Sequence, residues 1–171
     1  PLNKSILTVT QNKEDKEVLI KSRFEKIHNL DDSQFIHHQT TITNTPCKHG
    51  FVKSCGTAMG LILKNPNEPT VYFAGDTIWY EGVSETIKKY QPDVIVVNCC
   101  GANLLGFGRL IMNEEDLYQT AMEAPNAKIV AVHMETVSHS TVTRKALRSR
   151  VDSYGIGDRV LIPEDGDILK F

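Results

Sequence analysis

At 171 residues with 40% apolar content, the chain is long enough to enclose one substantial core and too short for two domains of ordinary size. Nineteen Lys and Arg against 21 Asp and Glu leave a net charge of -2, which argues against the broad positive field that nucleic acid or an anionic membrane surface requires. The longest apolar runs, residues 94–97 and 129–132, fall far short of the roughly 20 residues that span a bilayer. Pro1-Leu2-Asn3-Lys4 has neither a basic start nor an apolar run behind it, so nothing reads as a secretion signal and a cytoplasmic location is expected. A start at proline also leaves room for residues upstream. The cysteines Cys47, Cys55, Cys99 and Cys100 form no C-x-x-C pair, and adjacent Cys99-Cys100 suits a disulfide poorly, so reduced, buried thiols are expected.

In chain order, residues 5–10 have the β-branched and apolar content of a strand, and the charged stretch 12–23 has helical character. Residues 35–45 are again β-branched. Residues 57–64 and 70–74 flank Asn65-Pro66-Asn67-Glu68-Pro69, a turn by composition, which predicts a β-hairpin. Beyond Gly75 the pattern alternates: helix 84–90, strand 94–97, helix 114–123, strand 128–132, helix 141–154 and strand 159–162. Such alternation predicts an α/β layer arrangement. Between them, residues 99–113, with Gly101, Gly106 and Gly108, read as a long mobile surface loop.

Three of these strands run into polar residues. Val71-Tyr72-Phe73-Ala74-Gly75 leads to Asp76, residues 94–97 to Asn98, and residues 129–132 to His133. Ligands in α/β sheets bind at the carboxyl ends of strands, so the three are expected to share one rim. Each also has a plainer reading: Asp76 as a helix cap or turn residue, Asn98 as a turn former, His133 as a core histidine satisfied by backbone. His49, in Thr45-Pro46-Cys47-Lys48-His49-Gly50, sits in a loop and could be an ordinary loop histidine. Taken together, two histidines and an aspartate at the ends of separate strands offer the imidazole and carboxylate donors of hydrolytic metal sites.

Thr45-Pro46-Cys47-Lys48-His49-Gly50, Tyr72-Phe73-Ala74-Gly75-Asp76-Thr77 and Val130-Ala131-Val132-His133-Met134-Glu135 resemble, in order and spacing, the motifs of metallo-β-lactamase superfamily hydrolases, in a branch similar to ascorbate-phosphate lactonases. The resemblance covers nearly the whole chain, including an Asp165-Gly166 turn before a last strand. It implies an α/β fold, an αββα sandwich of the metallo-β-lactamase type, N-terminally incomplete. Residues 1–171 would form one such domain, with the first strands and first metal motif absent. It also implies His49 on one divalent metal, Asp76 bridging two, and His133 on the second. Zinc is the first candidate, with manganese or iron as alternatives.

The family's His-x-His-x-Asp-His motif does not occur in the sequence, and His37-His38 cannot replace it, because neighbours on a strand point to opposite faces. With the absent motif restored, the implied reaction is hydrolysis of a small ester, lactone or phosphoester by a metal-activated water, with Asp76 and His139 as catalytic residues, while this chain alone could be inactive. His139 would contact an anionic substrate, although entry to the following helix also explains it. Arg144, Lys145 and Arg148 could attract a phosphate or form a solvated helix face. Trp79 and Tyr80 could line a pocket or cover the core. The alternative function is a non-catalytic scaffold or binding domain with a degenerate metal site. The expected partner is a small-molecule substrate, with no nucleic acid, no membrane, and a possible homo-oligomer completing the site across an interface.

Overall fold

The computed structural model describes residues 2–30, 34–50, 58–104, 108–135 and 137–171. The chain opens with β1 (Leu7–Thr10), α1 (Lys13–Lys21) and β2 (Lys26–Asn29), and β1 and β2 pair in parallel as a small sheet of their own. Helix α1 starts where the Asn12 side chain accepts a hydrogen bond from the Asp15 amide at 2.7 Å, and its chain turns off at Arg23, whose φ is 64°. It buries none of its residues and leaves Val18 and Ile20 exposed. Strand β2 is an element that the sequence reading missed, since Lys26-Ile27-His28-Asn29 has too short an apolar pattern to signal it.

The stretch expected as one strand over residues 35–45 is two, β3 (Phe35–His37) and β4 (Thr40–Pro46), folded back on each other at His38, whose φ of 52° reverses the chain. Strands β5 (Met59–Asn65) and β6 (Glu68–Phe73) form the expected hairpin. Its turn is tighter than composition suggested, because Asn65 pairs directly with Glu68 and the Asn65 side chain accepts from the Asn67 amide. Residue 57, where the first of these strands was expected to begin, lies outside the described residues.

The rest alternates as expected: α2 (Glu81–Tyr90), β7 (Val94–Asn98), α3 (Glu114–Glu123), β10 (Lys128–Val132), α4 (Arg144–Ser153) and β11 (Val160–Leu161), with β8 (Asn103–Leu104) and β9 (Gly108–Arg109) between β7 and α3. Helix α4 starts three residues later than expected, because Thr143 serves as its N-cap, and β11 is shortened by a 3-10 turn over Gly157–Arg159. The Asp165-Gly166 turn is present, with Gly166 at φ 92°, but no strand follows it among the described residues, and Ile168 is left exposed.

The central sheet among the described residues has the order β11-β10-β7-β6-β5-β4-β3. Strands β6, β7, β10 and β11 are mutually parallel, while β6, β5, β4 and β3 are antiparallel. Alternation decides the faces: Ile95 and Val97 of β7 and Ile129 and Ala131 of β10 join Val83 and Ile87 of α2, Leu117 and Ala121 of α3, and Leu147 and Val151 of α4 in one buried core. The architecture is mixed α/β, with a multistranded sheet and four helices among the described residues.

Much of the surface loop expected over residues 99–113 is instead buried, while Asn103, Leu104 and Gly108 stay exposed. Cys99, Cys100, Ala102, Leu110, Ile111 and Met112 are all buried, and β8 and β9 pair within the segment. The glycines marked turns, but the apolar run Leu110-Ile111-Met112 draws the chain back into the core. Gly106 lies outside the described residues.

Candidate functional site

Because β6, β7 and β10 run parallel, the residues that follow them emerge along one edge of the sheet. Strand β6 ends at Phe73, the Ala74 amide still donates to Val96 O at 2.9 Å, and Gly75 then turns the chain at φ 70° to set out Asp76. Only glycine suits that turn: a Cβ there would stand 2.6 Å from the Met59 carbonyl oxygen. Asn98 is the last residue of β7, and its Nδ2 donates to Asp76 Oδ1 at 2.6 Å. Asn98 is in register with Val132 of β10, and His133 follows directly.

His133 has φ 74° and Glu135 φ 64°, a left-handed pair around the buried Met134. The Glu135 carboxylate accepts from the Arg144 backbone N–H at 3.2 Å and from Arg144 Nη1 at 2.6 Å, which ties the turn to the start of α4. His49 is half-buried, and the loop that carries it is tied to the Asp76 turn. The Lys48 amide donates to Thr77 Oγ1 at 2.9 Å, the Ile78 amide donates to Lys48 O at 3.0 Å, and Cys47 Sγ donates to Ala74 O at 3.0 Å.

Asp76 and Asn98 are thus in direct contact, His133 is next along the strand edge, and His49 belongs to a loop bonded to the Asp76 turn. Among the described residues, no group of three or more His, Cys, Asp and Glu side chains stands together to hold one metal ion. The donor types fit a hydrolytic divalent cation, and a hydrogen bond to a carboxylate such as Asp76 is the outer contact that metal-binding carboxylates take. In number, the described residues fall short of the three or four protein ligands such a cation takes.

His139 is exposed, and its carbonyl accepts from the Asn103 amide at 3.2 Å, so its backbone is anchored to β8. Trp79 and Tyr80 pack against the main core. Of the positive charge on α4, that of Arg144 is met by carboxylates within the molecule. Arg144 binds Glu135, Glu164, Asp165 and the Pro163 carbonyl, and Arg148 donates to Ile162 O. Together with Lys145 they line a surface cleft of 340 Å³.

Sequence reasoning missed the two thiols beside the site. Burial, and then the Asp76 charge, push the Cys47 thiol up to about 12, and burial is the largest cause raising Cys100, with Asp76 contributing. Cys99 is likewise buried and free, while Cys55 lies outside the described residues. Their positions next to His49 and Asn98 were the available signal.

No family model matches the chain. It is 36% identical over 180 residues to the UPF0173 protein YddR of Bacillus subtilis (strain 168), an alignment that covers 99% of this chain and 68% of that protein. The chain belongs to the UPF0173 family. A UPF0173 metal-dependent hydrolase of Caldivirga maquilingensis is 25% identical over 126 residues, covering 74% of this chain and 51% of that protein. Among solved structures, the isothiocyanate hydrolase from Delia radicum gut bacteria is similar at a TM-score of 0.93 and 32% identity, covering 99% of this UPF0173 chain and 69% of its own. A possible metal-dependent hydrolase from Veillonella parvula matches at 0.92 and 34%, covering 97% and 67%. The metallo-β-lactamase fold protein YhfI of Bacillus subtilis matches at 0.71 and 18%, covering 96% and 65%, which shows the fold. The UPF0173 chain therefore has a metallo-β-lactamase fold, and its relatives are named metal-dependent hydrolases, which implies a divalent metal. Among the described residues, no helix is long and apolar enough to cross a membrane.

Proposed function

We propose that this chain is a metal-dependent hydrolase that directs water onto a small electrophilic substrate. The observation that carries the reading is the Asp76 carboxylate, fixed by Asn98 at the ends of parallel strands, in a member of a family whose relatives are named metal-dependent hydrolases. His49, Asp76 and His133 are the side chains that would hold the metal, with zinc first and manganese or iron as alternatives. A bound divalent cation lowers the pKa of water and polarises the substrate atom under attack.

The chain's own contribution is charge, donor form and position. Asp76 offers a carboxylate whose Oδ1 already accepts one hydrogen bond. His49 and His133 would each offer a ring nitrogen to the metal as a neutral imidazole. His139 offers an exposed ring to an anionic group of the substrate. The 32% identity to an isothiocyanate hydrolase adds an isothiocyanate to the substrate classes, beside the small ester, lactone or phosphoester suggested by the resemblance to ascorbate-phosphate lactonases.

The second reading, a non-catalytic scaffold, is favoured by the missing three-donor group among the described residues. One experiment separates the two. After gel filtration into metal-free buffer, the chain is measured for bound metal by elemental mass spectrometry. It is then assayed against a phosphodiester, a lactone and an isothiocyanate. Retained metal with turnover is expected, and Asp76→Asn should lower kcat/KM by more than the roughly 10–100-fold typical of losing an outer contact to a ligand. Full activity in Asp76→Asn would overturn the assignment of Asp76. Neither metal nor turnover in the wild type would favour the scaffold.

A further inference from the structure

We infer that Asn98 is a positioning residue for the Asp76 carboxylate, an assignment that rests on the metal-dependent reading above. The Asn98 atom 2.6 Å from Asp76 Oδ1 is the amide nitrogen, the donor end of that side chain. An amide N–H₂ donates and has no lone pair to offer a cation. The contact therefore uses Asn98 as a donor to the carboxylate and leaves Asp76 Oδ2 as the oxygen not engaged by it.

The two partners differ in how firmly their backbones are held. Asn98 closes a strand, in register with Val132, between Val97 and Cys99, both 0% exposed, and the Cys99 amide donates to Val132 O at 2.9 Å. Asp76 lies on a turn set by Gly75 at φ 70°, beyond the end of its strand. The bond thus refers a turn carboxylate to the rigid sheet. It also does so without a charge: a Lys or Arg in the same place would orient Asp76 and cancel its attraction for a cation, whereas the neutral amide only orients it.

The test uses the full chain with Co²⁺ as probe. Visible-absorption titration and chelator competition are run on wild type, Asn98→Ala and Asn98→Leu, together with thermal melting of each metal-free protein. Leu approximates the shape of Asn without its donor, so the pair separates loss of the hydrogen bond from loss of volume. Both variants are expected to bind Co²⁺ some 10–100-fold more weakly, with an altered ligand-field band, while metal-free melting stays close to wild type. Wild-type affinity and band shape in both variants would overturn the assignment. So would lower melting with the band of the folded fraction unchanged, which is the signature of a purely structural role. Failure of the wild-type chain to take up Co²⁺ would instead count against the metal-dependent reading, and the positioning role would fall with it.

Discussion

Asp76 was legible as a polar residue set directly after an apolar strand, a place that suits a ligand or a turn residue alike. Its partner was not: Asn98 reads as a turn former until the register of β7 with β6 and β10 brings it to Asp76. Gly75 shows the same dependence. Sequence marks it as a turn, and the structure adds the Met59 carbonyl that any Cβ would meet at 2.6 Å. At φ 70°, Gly75→Ala is expected to cost about 1–3 kcal/mol from backbone strain alone, more with the clash, and urea denaturation would measure it. His133 and Glu135 have the same left-handed backbone without glycine, a cost that nothing in their residue types announces.

Among the elements, the helices beyond Gly75 were readable from the alternation of helix and strand, and side-chain caps set the starts of α1, α3 and α4. Asn12, Asn113 and Thr143 each accept a hydrogen bond from an amide three residues on, and each begins a helix. Thr143→Ala should therefore cost about 0.5–2 kcal/mol, seen as a lower denaturation midpoint with an unchanged slope. Helix α4 also receives the Glu135 carboxylate at its first amide, so fraying there would loosen the turn that carries His133. Short elements escaped the reading. Strands β2, β8 and β9 have two to four residues each, too few for a period to show, and exist because a neighbouring segment lies beside them.

Across the whole molecule, one core holds the sheet against α2, α3 and α4, and Ile129 lies within it at 0% exposure, between Ile95 and Val160 in the ladder. Ile129→Ala is expected to lower the unfolding free energy by about 2–5 kcal/mol, measured by denaturant titration, because the flanking strands cannot collapse into the space left. The sequence by itself determined which segments could be strands or helices, which apolar residues could be buried, and that polar residues stand at strand ends, since these follow from periodicity and residue chemistry. Only the tertiary structure decided that Asn98 grips Asp76, that Cys47 Sγ and the Lys48 amide are bonded to the Asp76 turn, that Arg144 is occupied by carboxylates, and that Cys99, Cys100, Ala102 and Leu110-Ile111-Met112 pack inward. Those outcomes depend on strand order and register, which bring together residues 22, 29 or 40 positions apart, and no local pattern encodes which of the possible pairings fills the core best.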